Sequence, residues 1–388
     1  MFDSSHFHQL VKPLPRSLVQ IAIDRHEADK YTKSFSCYNH LLVMIYGQLC
    51  GFNSLRTISV AFNGHCGHHY HLGVKAVKRS TLADANARRT PLVFSDMAAY
   101  LMSKCQRKLK KEGQELIQLL DSTSLTLKGR GYDAWTLGNK NRFTQGLKVH
   151  VLYDEAKQVP VKAHFTPPNV NDVTAALGLA FESGQTYVFD KGYYDYNWWY
   201  TIEKSQAKFV TRFKSDAALK VEAVNEIPSA SEGLILEDSL VRFKHKRPRG
   251  GKVNEYEKVL RRVQVRRAGK EPLILATNDL ESPAEKIAEC YRRRWQIELF
   301  FKWIKQHLKI KAFLGRSENA VKIQILCAMI AYLLLSMYKT ASRYDGSIWE
   351  FMALVGSCLF QRPSLEEHYR KRLEKTQKIR DQQPRLFT

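Results

Sequence analysis

The stretch LIQLLDSTSLTL, residues 116–127, decides the fold. Its pattern of apolar residues predicts a β-strand with Asp121 inside it. Further elements are predicted after it: strands at 145–153, 159–165, 186–189 and 208–213, and a helix that Asn171 or Asp172 caps and that runs to residue 181. A meander of strands followed by alternating helices and strands is typical of an α/β fold with a mixed sheet.

The rest of the chain divides into segments of different character. We predict five domains or part-domains: 1–105, helical and basic; 106–213, the first part of the α/β core; 214–270, a β-rich insertion; 271–320, the second part of the core; and 321–388, helical with a basic tail at 370–385. The insertion has predicted strands at 234–243 and 259–265 around a basic loop, which suits a phosphate backbone or a solvated hairpin.

Charge indicates the kind of partner. The 388 residues contain 61 Lys and Arg against 38 Asp and Glu, a net charge of +23. Such a surplus favours a polyanionic partner, because phosphate neutralisation releases counterions; an inert basic surface is the alternative. The apolar stretch 323–337 is shorter than a membrane span and is expected to be a buried core helix. No secretory signal is expected at the N-terminus.

Cysteine and histidine usage argues against a zinc protein. The seven cysteines are scattered and form no CxxC pair, which indicates a reducing compartment. Residues 65–71, with four histidines and Cys66, form one crowded cluster without a second pair of ligands at the usual distance. We interpret it as a polar loop between helices.

A long helix is predicted after Asp279. Ser282 is a suitable N-cap, Pro283 suits the first helical position and Glu285 lies three residues after the cap, which predicts a capping box. The helix is expected to run to about Leu308.

Two stripes of side chains are expected on this helix. At about 100° per residue, one stripe is apolar and faces the core: Ile297, Phe300, Phe301, Ile304 and Leu308. The stripe beside it is polar: Tyr291, Arg294, Glu298 and Lys305. Taken alone, the polar stripe also fits an exposed helix with ordinary intrahelical ion pairs.

Two aspartates give the polar stripe a partner. Asp121 lies in the first strand and Asp190 follows the strand at 186–189. A carboxylate at a buried strand is costly unless it is paired or binds a cation. If these strands are neighbours, the aspartates meet, and Glu298 would complete a set of three hard oxygen donors that suits Mg²⁺ or Mn²⁺.

The spacing of these residues resembles a known family. Asp121, the sequence DKGY at 190–193 and the pattern Tyr291-x2-Arg294-x3-Glu298-x6-Lys305 resemble the three acidic motifs of DDE transposases, specifically the insertion sequence 4 (IS4) family with its Y-R-E-K signature. The resemblance covers nearly the whole chain. It implies an RNase H-like catalytic core interrupted by the β-rich insertion, a helical N-terminal DNA-binding domain and a helical C-terminal region used in dimerisation.

The resemblance also implies an activity. Asp121, Asp190 and Glu298 would be catalytic and would bind two Mg²⁺ ions, or Mn²⁺ in their place, while Tyr291, Arg294 and Lys305 would contact DNA phosphates. The expected partners are double-stranded DNA, as terminal inverted repeats and as target, and a second copy of the chain. The expected reaction is cut-and-paste cleavage and strand transfer through a hairpin, in the bacterial cytoplasm and without a membrane.

Two other functions fit the same residues. One is a non-catalytic DNA-binding protein, a decayed or repurposed transposase that acts as a repressor at terminal repeats. The other is a nuclease without sequence preference. One departure from the family concerns the hairpin step: none of the six tryptophans lies within 214–280, so Phe243 or Tyr256 would have to stack a flipped base.

Overall fold

The structure is a computed structural model that describes residues 5–106, 116–139, 144–231, 233–246, 252–307 and 313–361. The predicted basic tail, the tip of the basic loop and Leu308 lie outside the described residues. The helices are α1 (His6–Val11), α2 (Arg16–Arg25), α3 (Cys37–Leu49), α4 (Leu55–Gly64), α5 (His69–Leu72), α6 (Arg79–Arg88), α7 (Leu92–Gln106), α8 (Asp172–Ala176), α9 (Tyr196–Lys204), α10 (Ala284–Arg293), α11 (Trp295–His307), α12 (Glu318–Ala341) and α13 (Ile348–Cys358).

The strands are β1 (Ile117–Thr126), β2 (Leu137–Asn139), β3 (Thr144–Asp154), β4 (Val159–Thr166), β5 (Thr186–Phe189), β6 (Lys208–Arg212), β7 (Leu219–Val224), β8 (Ile235–Phe243), β9 (Leu260–Arg267) and β10 (Lys270–Thr277). The chain forms two compact units, one made of residues up to Leu101 together with residues from His307, and the other of Met102–Gln306. The five-segment division stays a prediction.

The first unit is built around two apolar helices. α3 is buried along its whole length, and α1, α3, α6 and α13 contact α12. By length and composition, α12 is the one helix of the described residues that could cross a membrane, but 83% of its apolar window is buried inside the structure. The prediction of a buried core helix at 323–337 is therefore confirmed.

The histidine-rich segment of this unit is helical, so the prediction of a loop there was wrong. A 3₁₀ turn, Cys66–His68, leads into α5. The ring of His65 stacks on Phe360, and the ring of His69 stacks on Phe62 and hydrogen-bonds the Phe62 carbonyl. These two imidazoles have packing roles.

The second unit contains one large mixed sheet, as predicted. Its strand order is β2-β3-β1-β5-β6-β10-β9-β8-β7, and β4 pairs with β3. β5 runs parallel to both β1 and β6, and the other pairings are antiparallel. All four predicted core strands after β1 are present, with ends that differ by at most one residue from β3, β4, β5 and β6.

The strands of the predicted insertion continue this sheet. β9 pairs with β10, β8 with β9, and β7 with β8, so the central strands and the insertion share one set of ladders. β7 was not predicted. Its sequence, LKVEAV, alternates charged and apolar residues, and nearly all of it is exposed, so it lacks the buried apolar run that signals a central strand.

The long helix predicted after Asp279 is two helices, which corrects the expectation of one continuous element. α10 ends at Arg293 and α11 begins at Trp295, with Arg294 between them. The capping box is also absent: Pro283 is in the extended conformation of an N-cap, and the Ser282 backbone N–H donates to Asp279.

Two further outcomes concern the burial of one helix and the length of another. The apolar stripe is confirmed at its four described positions, since Ile297, Phe300, Phe301 and Ile304 are buried. The helix predicted to reach residue 181 ends at Ala176 instead, with Asn171 as N-cap but without a capping side-chain hydrogen bond.

Candidate active site

Two neighbouring parallel strands bring the predicted aspartates together. β1 and β5 are paired with Leu120 opposite Phe189, and the next residues along the two strands are Asp121 and Asp190. The residues that precede both aspartates are buried. The register therefore places Asp121 and Asp190 next to each other on adjacent strands.

Asp190 is held ionised by donors from three elements. Its Oδ1 accepts the Lys191 backbone N–H at 2.6 Å, Arg212 Nη2 at 2.8 Å and the Tyr291 hydroxyl at 3.5 Å. Burial favours the neutral acid, but the Lys191 amide and the Arg212 guanidinium outweigh it and lower the pKa of Asp190.

Asp121 has the opposite electrostatic balance. Burial raises its pKa to about 6, and the neighbouring charges of Asp190 and Glu298 act in the same direction. The Ser122 backbone N–H, at 2.8 Å from Oδ1, and Arg294 offset only part of this. The two aspartates thus have pKa values shifted in opposite directions, as is common where carboxylates serve a functional site.

Arg294 connects Glu298 to this pair. Its Nη2 lies 2.5 Å from Glu298 Oε1, and its Nη1 lies 3.7 Å from Asp121 Oδ2. The guanidinium is also 5.5 Å from the centre of the Tyr291 ring, while that of Arg212 is 6.0 Å from it. The break between α10 and α11 falls at Arg294 itself.

The structure thus joins five of the six predicted site residues in one contact network. Lys305 lies on α11, seven residues after Glu298, and its side chain is exposed. Sequence reasoning missed Arg212, which ends β6 next to β5; an arginine that closes a buried strand beside the one carrying Asp190 is the signal that could have found it.

The chemistry of the donor set fits a hard divalent cation. Asp121, Asp190 and Glu298 supply only carboxylate oxygens, which Mg²⁺ and Mn²⁺ prefer. Among the described residues, no group of three His, Cys, Asp or Glu side chains is already arranged as a metal cluster. Two arginines instead compensate the three acids.

Comparisons with known proteins show the family of the chain. Residues 112–334 match the transposase DDE domain, and residues 3–75 match a domain of unknown function, DUF4372. A Sinorhizobium fredii protein named as transposase y4zB is 42% identical over 283 residues, which cover 72% of this chain and 77% of that protein.

Two further relatives are named as transposases of insertion sequences. The IS5377 protein of Geobacillus stearothermophilus is 28% identical over 68% of each chain. The IS4SA protein of a Synechocystis species is 29% identical over 68% of this chain and 72% of its own length.

The transposase DDE domain matches more than half of the chain, and this defines the class: the chain belongs to the DDE transposases. Within that class it is an IS4-family DNA transposase, and therefore an enzyme that acts on DNA. Enzymes of this family use divalent metal ions.

Proposed function

We propose that Asp121, Asp190 and Glu298 form the catalytic centre for cleavage and strand transfer of insertion-sequence ends. The observation that carries the proposal is the pairing of Asp121 and Asp190 on adjacent parallel strands, with Glu298 joined to them through Arg294. The order β3-β1-β5-β6, with one antiparallel and two parallel pairings, supports an RNase H-like core.

The proposed cofactor is a pair of Mg²⁺ ions, with Mn²⁺ as a substitute, held by the three carboxylates. When bound, such ions activate the attacking oxygen and stabilise the leaving one in an in-line displacement at phosphorus. The three carboxylates come from β1, the turn after β5, and α11. Binding of the ions therefore depends on how accurately these three elements are positioned.

Arg294 and Tyr291 are proposed to contact phosphates near the cleaved bond, with Lys305 further along the DNA. Arg294 contacts Glu298 and Asp121. Phosphate contact therefore requires this guanidinium to exchange a carboxylate partner for a phosphate oxygen, to which its planar donors are well matched. Lys305 is exposed and can contact phosphate without breaking such a pair.

The proposed cut-and-paste route passes through a hairpin, which requires a place for an unstacked base. Tyr256 is 2% exposed and its hydroxyl donates to Glu203, so its ring is not accessible. Phe243 is half-buried and lines a cavity of about 560 Å³ together with Tyr194 and Tyr196. We place the flipped base in this cavity, where aromatic faces can stack on it.

Recognition of the terminal inverted repeat is proposed for the helical N-terminal region. Between Asp29 and Asp84 the sequence has no acidic residue. α4 lies in this stretch, follows α3 after a short turn, and exposes Arg56, Thr57 and Val60. These side chains suit the major groove, where arginine donates to guanine and an apolar group contacts the thymine methyl.

The proposed recognition has a matched test. Arg56→Ala should weaken binding of the full-length protein to a terminal-repeat duplex and have a smaller effect on a scrambled duplex, as measured by fluorescence anisotropy. Arg25→Ala is the control, because Arg25 is exposed but already paired with Asp96. If both variants lose the same affinity, or if Arg56→Ala loses the same affinity for both duplexes, α4 does not recognise the terminal repeat.

The catalytic proposal is tested by metal-dependent cleavage of DNA that carries the element's own ends. Wild-type protein should nick and join these ends in Mg²⁺, and Asp121→Asn should bind them without nicking. Asp154→Asn is the control, since Asp154 lies on the neighbouring strand β3, opposite Gln118, away from Asp121. Binding by the wild type without nicking in Mg²⁺ or Mn²⁺ would favour the repressor function, and cutting regardless of end sequence would favour a nuclease.

The assembly proposed for this reaction is two copies of the chain on two DNA ends, in the cytoplasm. Light scattering of the protein with and without end DNA measures the mass of the complex and so tests the number of chains in it. A complex with one chain per DNA end pair would contradict the dimer.

A further inference from the structure

A fourth carboxylate, Asp172, lies between the two segments that carry the candidate metal-binding aspartates. Asp172 is the first residue of α8, and its side chain is 20% exposed. None of the three acidic motifs includes it. Its contacts reach β1 on one side and the turn after β5 on the other.

The contact with β1 passes through Ser122. The Ser122 backbone N–H donates to Asp121 Oδ1 at 2.8 Å, and the Ser122 hydroxyl donates to Asp172 Oδ1 at 2.5 Å. One residue thus donates to both carboxylates, and the hydrogen bond to Asp172 restrains the residue whose amide orients Asp121.

The contact with the β5 turn passes through Gly192. Residues Lys191–Tyr193 form a 3₁₀ turn whose first N–H donates to Asp190. A Cβ atom built on Gly192 would lie 3.0 Å from Asp172 Oδ2, so the Asp172 carboxylate takes up the space that a side chain would need there. Asp172 therefore lies beside the turn whose first N–H orients Asp190, and it accepts a hydrogen bond from the residue that orients Asp121.

The charge of Asp172 is compensated by a lysine of β3. Lys148 Nζ lies 2.8 Å from Oδ1, and the Lys148 side chain is 12% exposed. His150 Nδ1 is 3.6 Å from the same oxygen, but burial lowers the pKa of His150 to about 4, so the imidazole is neutral at pH 7. Lys148 is thus the counter-charge, and Oδ1 is already shared between Lys148 and Ser122.

We propose that Asp172 is a positioning residue that sets the spacing of Asp121 and Asp190 for divalent ions, through Ser122 and Gly192, without itself being a ligand. The inference rests on the proposed function of the two aspartates as metal ligands. Partners that orient metal ligands commonly govern affinity for the ion, since each ligand must be held at a fixed distance and angle.

The experiment measures Mn²⁺ binding to the full-length protein by calorimetry and the Mg²⁺ dependence of end cleavage. Asp172→Ala should weaken Mn²⁺ affinity, and raise the Mg²⁺ concentration for half-maximal cleavage, by about tenfold, with the number of bound ions unchanged. Ser122→Ala, which keeps the carboxylate but removes the link, should shift both by about threefold. Asp172→Asn retains an acceptor for Ser122 and should fall closer to the wild type than Asp172→Ala.

Asp238→Ala is the structural control. Asp238 is a buried acid of β8 that pairs with Arg261, so its loss should lower stability without shifting the Mg²⁺ dependence of the folded protein. Should Asp172→Ala fail to fold, Ser122→Ala decides. Metal dependence equal to the wild type in Ser122→Ala and in any folded Asp172 variant would overturn the inference, and so would loss of one bound ion in Asp172→Ala, which would make Asp172 a ligand.

Failure of the inference and failure of the proposed function give different results. If the wild type and Asp121→Asn bind Mn²⁺ equally, the aspartates are not the ligands and the proposed function fails. If they differ as expected and only the Asp172 and Ser122 variants match the wild type, the inference alone fails.

Discussion

Two arginine–aspartate pairs in the same sheet have the same chemistry and different accessibility. Arg261 and Asp238 form a two-point contact at 2.8 and 2.6 Å, and their side chains are 7% and 4% exposed. Arg212 and Asp190 form one contact at 2.8 Å, and their side chains are 25% and 35% exposed. The first pair lies between strands β8 and β9, and the second lies where β5 and β6 end.

The comparison separates a structural ion pair from an exchangeable one. Removing one partner of a buried pair leaves an uncompensated charge in low dielectric, whereas a partly exposed charge can be solvated by water. Asp190 can therefore exchange its arginine for another cation at small cost to the fold. Asp238 cannot, because both of its oxygens are used in a contact closed to solvent.

The largest expected effect is on cleavage, and it concerns the partly exposed pair of Arg212 and Asp190. Asp190→Asn should reduce the rate of Mg²⁺-dependent end cleavage by about a thousandfold or more, because a carboxylate proposed to hold the divalent ions is lost. Its free energy of unfolding, from urea titration, should change by less than about 1 kcal/mol. Cleavage near the wild-type rate would remove Asp190 from the catalytic centre.

The buried pair, Arg261 and Asp238, should affect stability and not cleavage. Asp238→Ala should lower the free energy of unfolding by about 3–5 kcal/mol, since Arg261 is left buried without its carboxylate. Cleavage by the protein that remains folded should match the wild type. A stability change below about 1 kcal/mol in urea unfolding would show that the pair is not structural.

Arg294 and Lys305 extend the comparison to the DNA contacts. Arg294→Ala should slow end cleavage by about tenfold to a hundredfold, because Arg294 contacts two of the acids and is proposed to bind phosphate.

Lys305→Ala should mainly weaken DNA binding and reduce the slope of log affinity against log salt concentration by about one. The melting temperature should change little in Lys305→Ala. Identical salt slopes in wild type and Lys305→Ala would exclude the phosphate contact.

The smallest effect is expected from a buried neutral group, His150. Burial and the adjacent His164 lower its pKa to about 4 in the folded protein, while an unfolded histidine titrates near pH 6.5. The unfolded chain takes up the proton first as pH falls, so the contribution of His150 is complete above about pH 6.5 and is lost progressively towards pH 4.

The pH effect is measured by urea unfolding of the wild type and of His150→Gln between pH 7 and pH 4. Glutamine keeps a donor for Thr166, to which His150 Nε2 is bonded at 2.8 Å. The variant should lose less stability over this range. Parallel pH curves would show that His150 titrates normally in the folded protein.

Much of the second unit could be predicted because its strands carry strong local signals. β5 is a short apolar run that ends in Asp190, and β1 has buried residues directly before Asp121, so apolar patterning places both carboxylates at strand positions. The helical wheel of the segment after Asp279 placed Glu298 on a polar stripe, and the family resemblance then assigned the three acids their role. β7 could not be found in this way, because its exposed side chains give no apolar pattern.

The contacts between side chains could not be predicted from the sequence. A helical wheel treats 284–307 as one helix, but the helix is interrupted at Arg294. The wheel also says nothing of the distance to β1, so the contact of Arg294 with Asp121 could not be read from it. Asp172 was seen only as a cap, since its contacts with Ser122 and Lys148 join residues distant in sequence.

Among the described residues, β7 pairs with β8 alone, so its other edge has no partner strand. A strand with a free edge is a template on which another polypeptide can add its own strand. Lys220 and Glu222 alternate with exposed Val221 on β7, and the two charges lie 3.3 Å apart. Charged side chains at this edge oppose stacking of one molecule onto the next, so the alternation that hides β7 from sequence patterning also protects it from aggregation.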